Sequence, residues 1–182
     1  MAGKHVGRVA LVVYALVTVL TASCGSSMRP SPHTPASAPS SILPTDPVSI
    51  ASRNALAAYD GMMADWTAVS KTSNYQDPIL TRHTSGDALS KLVRTVAAAQ
   101  AAGVVSKGRP ADSPRVVKLT PQGTPTEAIL ADCADASTWL QFKTDGTQIP
   151  GVGGRHAVDV QVDDIDGVWK VSKFVFHPAG TC

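Results

Sequence analysis

The 182-residue chain has little charge and few aromatic side chains, at 16% and 5% of its residues. Sixteen basic side chains stand against fourteen acidic ones, a formal net charge of +2. That balance supplies no basic surface for a phosphate backbone. Aromatics do not interleave with the scattered basic residues either, so no nucleic-acid partner is expected. The chain has no Gly-x-Ser-x-Gly, no His-Glu-x-x-His and no Cys-x-x-Cys, and His5, His33, His83, His156 and His177 are dispersed. A catalytic set, a metal site and a cofactor are therefore not predicted. Apolar runs are short as well, below the roughly 20 residues that cross a bilayer. Cysteine is scarce and odd in number: Cys24, Cys133 and Cys182. In an exported protein one of the three must be reactive, intermolecular or modified.

Two local patterns invite a ligand and lack the partners for one. Asp159, Asp163, Asp164 and Asp166 miss the spacing and distal Glu of a calcium loop, and a turn with a solvated strand face accounts for them. Gly151-Val152-Gly153-Gly154 lacks the strand-to-helix setting of a dinucleotide loop and reads as a hairpin connection.

The N-terminus has the layout of an export signal. Lys4, His5 and Arg8 precede an apolar run from Val9 to Leu20, broken only by Thr18, and Thr21-Ala22-Ser23-Cys24 follows. Ala22 and Ser23 before Cys24 resemble the lipobox of bacterial lipoprotein signal peptides, with Thr21 where that family prefers Leu. The resemblance implies cleavage after Ser23 and a Cys24 lipidated on sulfur with palmitate-type chains. A plain secreted protein cut nearby and an uncleaved anchor are the alternatives. On this reading residues 1–23 are the signal peptide and residues 24–47 a tether. Six Pro and six Ser fall within residues 25–47, with hardly any apolar side chain to offset the entropy of ordering them. At about 3.1 Å per residue such a segment reaches roughly 70 Å from a membrane. Cleavage would remove Lys4 and Arg8 but no acidic residue, leaving basic and acidic groups balanced. Anchoring would then rest on acyl chains rather than on attraction to anionic lipid.

With Cys24 given to lipid, Cys133 and Cys182 remain in an oxidising compartment, where a pair is most simply a disulfide.

Residues 48–182 form the candidate domain. Asp46-Pro47 opens an amphipathic helix over about 47–71, carried by Leu56, Tyr59, Met63, Trp66 and Val69. Asp77-Pro78 starts a short helical turn. Ser85-Gly86-Asp87 opens a third helix that buries Leu89, Leu92, Val93 and Val96 and ends at Gly103. The period then changes to two. Strands are predicted at 104–105, 115–119, 126–133, 137–143, 155–163 and 168–176. In the last of these Trp169, Val171 and Val175 are expected on one face and Phe174 and Phe176 on the other, with both faces covered. Helices first and an antiparallel meander last give an α+β class.

These signatures, with Asp132-Cys133, Gly153-Gly154-Arg155-His156, Gly167-Val168-Trp169-Lys170-Val171 and Gly180-Thr181-Cys182, resemble uncharacterised actinobacterial secreted proteins and lipoproteins with a nuclear transport factor 2-like fold. That resemblance implies helices wrapped on a curved antiparallel sheet as a cone with one open end. It also implies a candidate pocket drawing on Tyr59, Trp66, Tyr75, Asp132 and His156. For Tyr59, Met63 and Trp66 ordinary core packing is the preferred reading, because packing alone explains a stripe at helical spacing, and His156 reads equally as an exposed edge residue. The functional expectation is a membrane-anchored extracytoplasmic module, non-catalytic, that binds a small apolar ligand or an envelope protein. A cavity enzyme of isomerase or hydrolase type is the alternative.

Overall fold

The computed structural model describes residues 46–151 and 153–182; the expected signal peptide, Cys24 and nearly all of the expected tether lie outside the described residues. Helix α1, Pro47–Ser70, begins where Asp46 accepts the amide of Ser49 at 2.9 Å and Pro47 takes the first helical position. The same device starts a 3₁₀ turn, Pro78–Thr81, capped by Asp77 through the Ile79 amide at 3.0 Å. Helix α2 spans Gly86–Ala101 and stops before Gly103, whose φ of 63° suits a residue without a Cβ.

Seven strands follow: β1 Val104–Lys107, β2 Arg115–Thr120, β3 Glu127–Asp135, β4 Leu140–Lys143, β5 Gln148–Ile149, β6 Arg155–Ile165 and β7 Val168–Phe176. They form two antiparallel sheets, ordered β2-β3-β6-β7 and β1-β4-β5. Both helices pack against β7, and α1 also touches β6 and β3. This is the α+β class expected from helices first and strands last, with the helices laid on an antiparallel sheet.

Strict alternation places the core. Along β3 the buried positions are Ala128, Leu130, Asp132 and Ala134, and along β6 they are His156, Val158, Val160 and Val162. Tyr59, Met62 and Met63 of α1 and Leu92 of α2 close over that face and are completely buried. Each large apolar side chain so enclosed contributes on the order of 1.5–3 kcal/mol. The β6-to-β7 hairpin turns on Asp166 and Gly167, both at positive φ, as a two-residue loop of the mirror-image type requires.

The expectation for β7 needs correction. Its register slips at Ser172, because Gln161 pairs with Lys173 while Val162 pairs with Val171. That extra residue shifts the phase of the strand, so Val171 and Phe174 are both buried. Trp169 and Phe176 also pack on the core, whereas Val175 is 47% exposed rather than covered. A second correction concerns residues 137–139, which form a turn and not strand. Asp135 accepts the Ser137 amide, and the Trp139 amide returns to Ala136.

The C-terminus is fastened along the start of β6. Cys133 and Cys182 are joined by a disulfide, with Cα atoms 5.9 Å apart. The His177 amide donates to Ala157, the Gly180 amide to Arg155, and the Ala157 amide to Thr181 Oγ1. Asp65 ties α1 to the segment after the 3₁₀ turn: this buried carboxylate takes the Arg82 guanidinium and His83 Nδ1.

Candidate functional site

A partly enclosed cavity of about 230 Å³ lies where the C-terminal halves of α1 and α2 meet both sheets. Aromatic walls come from Trp66 of α1, Trp139 of the β3–β4 turn and Phe176 of β7. The Trp66 and Trp139 rings meet edge to face with centroids 4.8 Å apart, and Trp66 meets Phe176 in the same manner at 5.9 Å. Space remains between these rings because the facing positions are small: Ser70, Ser73, Ala99, Ser106 and Ala136. Larger side chains at those five positions would fill the volume that the rings leave.

His156 is the one imidazole in this lining. It enters the interior by the period of β6, two residues before Val158, and is 9% exposed. Its Nδ1–H donates to the His177 carbonyl at 2.8 Å, so that in the neutral ring Nε2 carries the lone pair. Nε2 is buried and meets no hydrogen-bond partner. The Phe176 ring covers the imidazole at 4.7 Å between centroids. The Trp139 Nε1–H is likewise buried and without a partner. Groups of that kind ordinarily find a partner, because leaving one unpaired costs about 1–3 kcal/mol.

Gly108 positions Trp139. At its φ of +86° a Cβ would sit 2.0 Å from the Thr138 carbonyl oxygen, so only glycine allows the end of β1 to pass the turn. Thr138 Oγ1 then donates to the Arg109 carbonyl at 3.0 Å and fixes the indole's approach.

Of the five side chains proposed for a pocket, Trp66 and His156 come together here and the others do not. Tyr59 and Asp132 form a separate buried pair, with the phenol donating to Asp132 Oδ2 at 2.8 Å. Asp132 Oδ1 takes the amides of Ser113 and Cys133 at 2.8 and 2.7 Å. Three donors thus occupy this carboxylate. Burial, with the Asp132 charge second, pushes the Tyr59 phenol far above its ordinary range and keeps it protonated. Tyr75 sits half-buried against the core and outside the cavity lining. His156 is not an edge residue, and the alternation Val158, Val160, Val162 extended back by two is the signal that places it inside. Trp139 and Phe176 were not among the sequence candidates; their rings reach the site only through the turn and the β7 bulge.

Asp112 stands near the Tyr59–Asp132 pair with its side chain 6% exposed. Burial first, then the Asp132 charge, raises its carboxyl to about 6 despite Arg109. Among the described residues no three His, Cys, Asp or Glu side chains converge as a metal site would require.

No family model and no curated protein matches the chain. Among solved structures it is similar to the intermembrane-space region of the chloroplast protein ARC6, at 12% identity and a TM-score of 0.49, over 69% of this chain and 97% of that one. It is also similar to a protein of unknown function with a cystatin-like fold from Nostoc punctiforme, at 14% identity and a TM-score of 0.41, over 69% of this chain and 92% of that one.

Proposed function

We propose that the protein is a membrane-anchored extracytoplasmic lipoprotein of nuclear transport factor 2-like architecture whose domain is a non-catalytic ligand-binding module. The observation that carries the binding reading is the cavity of about 230 Å³ between Trp66, Trp139 and Phe176. A site walled by three aromatic rings, with Ser70, Ser73, Thr95, Ser106, Gln141 and His156 as its polar lining, suits a small molecule with an apolar body. The export and anchor reading rests on the sequence, on Lys4, Arg8 and the Ala22-Ser23-Cys24 junction. The Cys133–Cys182 disulfide agrees with an oxidising compartment. Two acyl chains on Cys24 would hold the domain at a membrane, and the Pro- and Ser-rich residues 25–47 would give it reach.

His156 gives the alternative of a cavity enzyme its specific support, because it is the one imidazole among the described lining residues and its Nδ1 is held by the His177 carbonyl. Among the described lining residues, however, no carboxylate, Lys or Arg accompanies it, which favours binding over turnover.

Two measurements test the proposal. Calorimetric titration of the purified chain with naphthalene is expected to show saturable 1:1 binding, and absence of binding contradicts the ligand-binding reading. The Cys24→Ala variant is expected to leave the membrane fraction; membrane residence of that variant contradicts the lipid anchor.

A further inference from the structure

We propose that the Cys133–Cys182 disulfide is a site of thiol–disulfide exchange, at which an incoming thiolate takes Cys182 and Cys133 leaves as a thiolate. This site does not depend on the cavity or its ligand.

Arg155 is what sets this disulfide apart from a plain staple. Its Nε–H and Nη2–H groups donate to Cys133 Sγ, with nitrogen-to-sulfur distances of 3.3 and 3.2 Å. Sheet register puts the guanidinium there: Cys133 pairs with Ala157, and Arg155 lies two residues before Ala157 on the same face of β6. Asp135, directly opposite Arg155, accepts the Ser137 amide. Among the described residues no carboxylate forms a salt bridge with this guanidinium. A disulfide sulfur is a weak acceptor, and two N–H donors gain little from it. The same donors gain far more once that sulfur carries a charge, because a neighbouring cation favours the thiolate. The arrangement is matched to the cleaved bond rather than to the intact one.

Exposure sets the direction of attack. Cys182 is exposed, whereas Cys133 is half-buried in β3, between β2 and β6. An open cleft of about 450 Å³ beside the disulfide is lined by both cysteines with Arg115, Ala131, Ala157 and Asp159, which gives a small thiol room to approach. The incoming sulfur forms a bond to Cys182 Sγ, the bond between the two Sγ atoms breaks, and its electron pair stays on Cys133 beside Arg155. The incoming sulfur is oxidised, Cys133 is reduced, and the proton of the attacking thiol passes to solvent. Exchange also frees the segment after β7 from its covalent tie, and that segment carries the His177 carbonyl bound to His156 Nδ1.

Reduced glutathione is the probe, used on the full chain carrying Cys24→Ala so that Cys133 and Cys182 are its only cysteines. After incubation of the folded protein at neutral pH and an acid quench, peptide mass spectrometry is expected to find glutathione on Cys182 and a free thiol at Cys133. Adding Arg155→Gln is expected to slow opening of the folded protein about tenfold, while the two proteins open at one rate in urea. A role for Arg155 in holding the strands alone predicts the reverse, faster opening of a loosened edge, so the sign of the change separates the two. The position of glutathione in the chain with Arg155 intact is a second reading that needs no change at that residue. Glutathione on Cys133, opening only in urea, or an Arg155→Gln chain that opens as fast as its parent overturns the proposal.

Discussion

Tyr59 in α1 and Asp132 in β3, 73 residues apart in sequence, meet in the interior through a 2.8 Å hydrogen bond from phenol to carboxylate. This polar contact sits under the helix layer and fixes where α1 crosses the sheet. A buried carboxylate is costly unless its lone pairs are occupied, and the amides of Ser113 and Cys133 occupy the remaining oxygen. Tyr59→Phe removes one of the three donors without opening a cavity. Its expected cost is about 1.5–3 kcal/mol, the range for hydrogen bonds to a charged group, read by urea unfolding. Unchanged stability would mean that Asp132 finds another donor.

Asp112 makes stability depend on pH with an uncommon sign. Its carboxyl is raised to about 6, chiefly by burial and next by the Asp132 charge, above the ordinary value of about 3.9. Between those two values the folded protein holds a proton that the unfolded chain has released. The contribution of this residue is therefore fully present below about pH 4 and is lost as the pH rises through 6. Asp112→Asn should be more stable than the unmodified protein by roughly 1–2 kcal/mol at pH 7.5, with the two converging near pH 4. Urea titrations at both pH values read the difference.

The Cys133–Cys182 disulfide closes a loop with a sequence separation of 49. Chain entropy assigns such a loop about 4 kcal/mol, and removal of a native bridge from a small domain commonly costs about 2–5 kcal/mol. Cys182→Ser should fall in that range in thermal or urea unfolding. The loss should also reach the cavity, because the fastened C-terminal segment carries the His177 carbonyl that holds His156 Nδ1. Naphthalene affinity, read by calorimetric titration, should therefore fall in this variant.

Much of the scaffold was legible in the sequence because its signals are local. Asp46-Pro47 and Asp77-Pro78 mark helix starts through capping chemistry confined to a few residues, and the α1 stripe of Tyr59, Met63 and Trp66 reports a helix face. The alternation Val158, Val160, Val162 likewise marks the buried face of β6. The β7 bulge left no such mark, since Ser172 becomes the extra residue only through its pairing with β6. Trp139 was misplaced because the Asp135–Ser137 turn occupies the start of a stretch, Ser137 to Lys143, that reads as strand from Trp139 and Phe142. The site itself was the least legible part. A cavity is the space that Ser70, Ala99, Ser106 and Ala136 fail to fill, and no local pattern brings those four residues together. Tyr59 and Asp132 have the chemistry expected of a pocket, yet the fold turns them toward each other.

The central claim, that the space beside Trp66 and Trp139 is a ligand site, is tested most directly by filling it. Ala99 faces the cavity from α2, so Ala99→Trp would place an indole where a ligand would lie. Titrating the unmodified chain and this variant with naphthalene, with thermal unfolding of both as a control, is the decisive measurement. Saturable binding in the former and its loss in a folded Ala99→Trp chain is the predicted result. Equal binding by the two proteins, or none by either, would contradict it.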